Sequence, residues 1–428
     1  MGTSVLTPAS VRRAGTLHMS DVPLTAVADA VGTPTYCYSA DVIRDRYARL
    51  TAALEGVPYR VHYSVKANGC SAILRLLASL GSGVDVVSGG EMFKAQRAGL
   101  TPATDIIFGG VGKTASELRE GIAAGVKLLN AESMAEVELI GAIAAELGVR
   151  ANVGLRVNPE IPVANWHHYI KTGEKGHKFG IPYGEVAAVA QRALELPSVR
   201  LAALDMHVGS QLTSVDAYEH GAARLVALVA ELRALGASEL AYLDVGGGLS
   251  VRYDDEVPME PEDFGRIVTR AAHESGLELI VEPGRYLVGN AGLLLARVIY
   301  RKQSGGKSIV ITDAGMNDLV RPALYKAFHR IEAVEPLDAR LTADIVGPVC
   351  ETGDFFALDR DIEDAQPGAL LALHDAGAYG YVMASNYNAR GRPAEVMVDG
   401  ARFAVVTARE TYDDLVRRET ASPTWHHA

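Results

Sequence analysis

The sequence predicts a (β/α)8 barrel, of the α/β class, joined to a C-terminal β-rich domain. Three observations carry this reading. Eight short apolar runs recur between residues 59 and 282, stretches of helix-like spacing lie between them, and after about residue 289 the pattern changes to closely spaced β-forming runs. Strand, helix and strand repeated at this length describe a parallel barrel, in which reactive groups gather at the carboxyl ends of the strands.

The eight runs are Tyr59–Ser64, Gly83–Val87, Ile106–Phe108, Lys127–Leu129, Val153–Val157, Ala203–Met206, Tyr242–Val245 and Glu278–Val281. Met134–Leu147 and Tyr218–Leu235 show the intervening helical period. Most runs end in a residue able to do chemistry. The first leads into Lys66, the second carries Asp85, the sixth runs into His207, the seventh into Gly246-Gly247-Gly248, and the eighth into Glu282-Pro283-Gly284-Arg285. Between Asn158 and about Ile181 the chain is polar and contains Trp166-His167-His168-Tyr169 and Lys171–Gly176. A connection this long beside a catalytic face is expected to be a lid. His167 and His168 are adjacent, so on an extended segment they point to opposite sides, and with no carboxylate partner evident no metal site is expected.

Residues 1–41 precede the barrel, and Thr33–Tyr38 alternates β-formers like a strand that pairs elsewhere. Beyond the barrel, Leu293–Tyr300, Ser308–Thr312, Ala343–Val346, Leu370–His374, Val396–Val398 and Phe403–Val406 are β-rich runs separated by turns such as Asp399-Gly400. The expected division is a barrel over 42–288 and a sandwich- or barrel-like β-domain built from 289–428 and completed by 1–41.

The 428 residues are 48% hydrophobic and 22% charged, with a formal net charge of −11, which excludes a disordered chain and argues against nucleic acid as a partner. Cys37, Cys70 and Cys350 are far apart and odd in number, so neither a disulfide scaffold nor a CxxC metal pair is expected and a reducing cytoplasm fits. Neither a signal-peptide core nor a membrane span is evident, and the myristoylation pattern opened by Gly2 has Leu6 where it needs Ser or Thr.

The strand-end residues point to one cofactor. A lysine closing an apolar strand is costly unless paired or neutralised, and forming an imine with a carbonyl cofactor is one escape; the alternative is a lysine at the solvent end of the strand. Asp244-Val245-Gly246-Gly247-Gly248 lacks dinucleotide-site spacing, yet three glycines after the seventh strand let bare N–H groups approach a phosphate, and Gly284-Arg285 after the eighth adds donors. As a bare signal the triplet is also a common turn. Glu282, partly buried, calls for a cation, which a protonated pyridine nitrogen supplies, making the ring a strong electron sink. His207 has a flat ring suited to a cofactor face, although a lone strand-end histidine is more often structural, and Ser210 is a further phosphate donor.

These segments resemble the fold type III pyridoxal-phosphate decarboxylases, and within them the diaminopimelate-decarboxylating members. The resemblance is carried by Tyr63–Asn68, Val84–Glu91, His207–Gln211, Asp244–Gly248, Glu282–Tyr286, Gly347–Glu351, Asp375–Gly380, Ser385–Asn388 and Arg392–Val396, in the family's order along nearly the whole chain. It implies pyridoxal 5'-phosphate as cofactor, with Lys66 as its Schiff-base lysine, His207 against its ring and Glu282 on its nitrogen, and a cofactor site that also includes Asp85 and Arg285. Ser210, Gly247, Gly284 and Tyr379 would hold the phosphate. Cys350 would be the proton donor to carbon, acting with Glu351 and Tyr379 at active sites shared across a homodimer.

The resemblance also implies a substrate, meso-2,6-diaminopimelate, losing carbon dioxide at its D-centre to give L-lysine in the last step of lysine biosynthesis. Its distal end carries a carboxylate and an ammonium. Arg285, Arg321 and Tyr325 would meet the carboxylate, Glu351 the ammonium, and Tyr379 would complete the substrate site. A bond to a charged group contributes roughly 1.5–3 kcal/mol, so losing one arginine would cost about 10- to 100-fold. The plainer alternative makes these surface arginines. Other readings are decarboxylation of another basic or carrier-tethered amino acid, racemisation (disfavoured by the electron sink that Glu282 implies), and a non-catalytic regulatory relative, against which Lys66, Cys350 and Glu351 together argue.

Overall fold

A computed structural model describes residues 9–161 and 176–426. The predicted lid residues Trp166, His167 and His168 and the Lys171–Lys175 stretch lie outside the described residues, as do Gly2 and Leu6. Two compact units are formed, one over Ala40–Ala291 and one from Pro8–Ser39 with Gly292–Ala428.

In the first unit eight strands close into a parallel barrel: Tyr59–Ser64, Gly83–Val86, Ile106–Phe108, Leu128–Ala131, Ala151–Asn158, Val199–Met206, Tyr242–Asp244 and Glu278–Val281. Each pairs with its sequence neighbours, and the eighth returns to the first in the register Leu279↔Tyr59. The expected barrel is therefore borne out, with shifted ends. Lys127 precedes the fourth strand, and the fifth and sixth begin earlier than their apolar runs because Asn152 and Arg200 continue the ladder. Ladder pairing uses only backbone, so polar side chains at a strand's entrance do not end it.

Helix starts follow from local chemistry. Ser88, Thr114 and Ser133 each cap a helix by accepting from the backbone N–H of a glutamate three residues on, and at Thr114 the capping box is reciprocal. At Ser88 this matters for the site. The helix Gly89–Arg97 starts immediately past the second strand, and Glu91 reaches back to accept from the Val87 N–H at 2.8 Å, fixing the strand end that carries Asp85.

The second unit is a mixed sheet in the order Phe355–Glu363, Arg340–Val346, Lys307–Thr312, Gly292–Ser304, Thr35–Ser39, Ala394–Asp399 and Arg402–Thr407, with Leu370–Leu373 and Ile331–Ala333 branching from the long strand. The N-terminal strand Thr35–Ser39 sits at its centre, antiparallel to Gly292–Ser304 and parallel to Ala394–Asp399. All five of its residues are buried, as expected for a central strand. Cys37 packs with Leu293, Leu295, Ala372 and Val396 in the core of this unit. The predicted Asp399-Gly400 turn closes the last hairpin, with Gly400 at φ +59°.

Candidate active site

At the carboxyl end of the barrel, Ser64 anchors the first strand to two neighbours: its hydroxyl lies 3.1 Å from Asp85 Oδ2 and 3.1 Å from the Glu282 carbonyl oxygen. Lys66 follows on the 3-10 turn Val65–Ala67, and its Nζ donates to Asp85 Oδ2 at 2.8 Å. The expectation of a lysine closing the strand needs correction, because Lys66 lies on the turn past it and its side chain is 36% exposed while Asp85 is 2% exposed. One 3-10 turn past the ladder carries it out over the barrel mouth. The amine thus stays reachable while a buried carboxylate holds it in place.

The loops after the sixth and seventh strands are tied together. Gln211 Nε2 donates to the Val251 carbonyl at 2.6 Å, the Val251 N–H donates back to Gln211 Oε1 at 3.1 Å, and the Leu212 N–H donates to the Gly248 carbonyl at 2.9 Å. The Tyr218 hydroxyl donates to the Gly247 carbonyl at 2.9 Å. Glycine is required here sterically. A Cβ on Gly247 would stand 2.1 Å from the Glu282 carbonyl oxygen, and Gly246 has φ +68° with its own Cβ position 2.4 Å from the Met206 carbonyl oxygen.

His207 accepts from the Gly247 N–H through Nδ1 at 3.3 Å, so that nitrogen carries no proton. Burial, and then the positive charges of Arg156 and Lys66, hold the imidazole well below its usual pKa, hence neutral. In this geometry the Gly247 N–H is engaged by His207, a contact that the phosphate role expected for Gly247 did not include. Arg285 donates from Nη1 to the Tyr253 hydroxyl at 2.7 Å and from Nη2 to Ser210 Oγ at 3.1 Å. Gly284 lies directly before it, its Cβ position 3.1 Å from the Cβ atoms of Ser64 and Ala67.

Below these groups three carboxylates converge. Asp205, Asp244 and Glu282 bring ligand atoms within 4.8 Å of one another, and the residues are 3%, 0% and 7% exposed. Asp244 Oδ1 accepts from the Gly246 N–H at 3.0 Å, whereas Asp244 Oδ2 and Asp205 Oδ1 are buried with no hydrogen-bond partner among the described residues. Burial pushes all three pKa values up, and a neighbouring carboxylate adds to it: Asp244 for Asp205 and for Glu282, Asp85 for Asp244. Asp244 reaches about 7, and Glu282 is raised by desolvation and then by Asp244, Asp85 and Asp205, with Lys66 opposing. Among the described residues Arg156 supplies compensating charge, its Nε 4.0 Å from Asp205 Oδ2 and its Nη1 pairing with Glu132 at 2.9 Å.

The second unit carries the remaining expected residues. Cys350 is exposed, and its backbone N–H donates to Asn388 Oδ1 at 2.7 Å. Glu351 Oε2 accepts from the Tyr387 hydroxyl at 3.4 Å, which raises the pKa of that phenol. Arg321 and Tyr325 lie four apart on the short helix Arg321–Tyr325 and so share a face. Tyr379 adopts φ +55° beside the closely packed Gly380.

Several partners escaped the sequence reading. Asn388 and Tyr387 lie in a segment already singled out, and Asp244 opens the glycine motif, so all three were within reach. Arg156, Glu132, Asp205 and Tyr253 gave no local signal. The two strands and two loops that carry them meet only when the barrel closes.

The donor set suits pyridoxal phosphate. A reachable amine, a neutral imidazole, a turn of bare backbone and a buried carboxylate short of cations match an aldehyde, a flat ring, a phosphate and a protonated ring nitrogen. Three carboxylates are also a hard-cation donor set, but Arg156 already places positive charge at Asp205.

Comparison with known proteins adds findings of three kinds. The pyridoxal-dependent decarboxylase family, by its pyridoxal-binding domain, matches residues 40–289. The diaminopimelate decarboxylase of Pseudomonas aeruginosa is 47% identical over 95% of this chain and 97% of its own length. That of Neisseria meningitidis serogroup A is 45% identical over 95% and 99%. The crystal structure of diaminopimelate decarboxylase from Helicobacter pylori, complexed with L-lysine, superposes with a TM-score of 0.89 at 36% identity, covering 92% of this chain and 99% of that one. The corresponding M. jannaschii enzyme with L-lysine gives 0.91 at 35%, covering 97% and 98%.

Proposed function

The chain belongs to the diaminopimelate decarboxylase family of pyridoxal-dependent decarboxylases, and from that premise we propose that it converts meso-2,6-diaminopimelate to L-lysine and carbon dioxide, in the cytoplasm, as a homodimer. The observation that carries this is the convergence of Lys66, His207, the Gly246–Gly248 turn and Glu282 on one barrel mouth. No described helix is long and apolar enough to cross a membrane.

Lys66, His207, Ser210, Gly247, Glu282, Gly284, Arg285 and Tyr379 would hold pyridoxal 5'-phosphate, with Asp85 fixing the lysine. When bound, the cofactor supplies an electron sink for the electrons left at the D-centre carbon. The residues do the rest. Lys66 presents its amine at the mouth from its ion pair with Asp85. Glu282, poor in cations, keeps a proton on the ring nitrogen. Cys350 delivers a proton to the D-centre carbon, with Glu351 beside it. Arg285, Arg321 and Tyr325 receive the distal carboxylate and Glu351 the distal ammonium, so the distal end is read by charge at both of its groups.

The direct test is carbon dioxide release from meso-diaminopimelate against lysine, ornithine and arginine. Turnover of the first at least 100-fold above the others is expected, since they lack the distal carboxylate; preference for ornithine or arginine would overturn the assignment. Subunit sharing has its own test. Lys66→Ala and Cys350→Ala proteins should each be inactive, and reassociating them in equal amounts should restore roughly a quarter of wild-type activity, because each mixed dimer then holds one intact site. No restoration despite verified exchange would place both groups in one subunit.

A further inference from the structure

We propose that His329 is a positioning residue for substrate recognition: as a neutral imidazole of fixed tautomer, it aims the Arg321 guanidinium at the distal carboxylate. This rests on the reading of Arg321 given above and adds to it a residue that holds the arginine.

The hydrogen-bond chain has only one consistent direction. Arg321 Nη1 lies 3.0 Å from His329 Nε2, and a guanidinium has donors only, so Nε2 accepts. His329 Nδ1 lies 2.7 Å from the His374 carbonyl oxygen, which can only accept, so Nδ1 carries the proton. A second proton, on Nε2, would set one N–H against another. Both flanking groups therefore select the same neutral form, and the ring is fully buried.

The ring is also held from its backbone. Arg360 Nη1 donates to the His329 carbonyl at 3.1 Å, the His374 N–H donates to the Arg330 carbonyl at 2.8 Å, and Ile331 pairs antiparallel with Leu373. The histidine thus sits two residues before one paired strand and takes its orientation from the residue just past the other. Arg321, 6% exposed, is a long side chain on a helix of five residues, and His329 fixes its Nη1 end. An imidazole acceptor orients a guanidinium without the charge cancellation a carboxylate would bring at that nitrogen.

The test uses the holoenzyme with His329→Phe, which keeps a flat ring and removes the acceptor, and His329→Gln, whose amide oxygen can replace Nε2. Each is made alone and in an Arg321→Ala background, with cofactor absorbance and melting temperature as controls. His329→Phe should raise KM for meso-diaminopimelate about 10-fold with kcat within about 2-fold, and His329→Gln should recover part of this. In Arg321→Ala protein, itself raised in KM, His329→Phe should add nothing. Equal KM shifts in both backgrounds, or an unchanged KM with only a lower melting temperature, would overturn the proposal. An unchanged KM in Arg321→Ala alone would remove the arginine from the substrate site and the histidine with it. Should the Phe protein not fold, His329→Leu, which also removes the acceptor, decides: a KM shift that vanishes in the Arg321→Ala background supports the proposal, and no shift, or one that persists there, sinks it.

Discussion

Replacing Lys66 with alanine should lower kcat by at least ~1000-fold and yield protein with no visible cofactor absorbance. The reason is positional. Lys66 Nζ is fixed 2.8 Å from a buried carboxylate and still opens to the barrel mouth, an arrangement made neither by Lys113, whose side chain is buried on Glu136, nor by Lys127, packed on Tyr242. Borohydride treatment of the wild type should attach the cofactor to the peptide containing Lys66 and to no other. Label on another lysine, or retained absorbance and turnover in Lys66→Ala, would refute the assignment. The fold should be untouched, because the side chain is one-third exposed and lies outside the strand ladder.

Glu282→Gln should separate activity from stability. Glutamine keeps the shape and loses the charge, so kcat should fall on the order of 100-fold while Lys66 still captures the cofactor. Stability of the cofactor-free protein should move the other way. The sign follows from the acid cluster. Asp244 rises from the ordinary 3.8 to about 7, and Asp205 and Glu282 are also raised, so the folded state keeps protons that the unfolded chain releases above about pH 4. Stability of the cofactor-free wild type is therefore greatest at low pH within the folded range, and it declines as pH rises through about 7. A shift of this size corresponds to about 4 kcal/mol at most for Asp244. Glu282→Gln removes one charge from the cluster and should flatten the decline, which urea unfolding at pH 5 and pH 8 would read. An identical pH slope in the two proteins would show that the three acids do not share their protons. In the proposed function an added cation, the ring nitrogen, would relieve the repulsion in this cluster.

These two residues also mark what could be read in advance. Lys66 and Glu282 stand at the ends of short apolar runs spaced for a barrel, and that spacing survives as linear pattern because each strand and helix is local in the chain. The same holds for the glycine turn, where two positions need a missing Cβ, and for the helix starts at Ser88, Thr114 and Ser133. His329 and Asp205 were not legible in this way. A histidine eight residues beyond Arg321 has no helical or strand relation to it, and the two meet because the His374 carbonyl holds the ring from a strand 45 residues on.

The order of residues, by itself, determined the barrel and the β-rich partner and singled out an amine, a histidine and an acid at strand ends, since periodicity and strand-end chemistry are properties of short segments. Only the tertiary structure decided protonation and aim: that Lys66 leans on Asp85, that His207 is neutral, that three acids share too little positive charge, and that Arg321 is steered by an imidazole. Those depend on burial and on distances of a few ångströms between remote segments. Electrostatic energies in a low-dielectric interior change steeply over such distances, and no linear spacing encodes them.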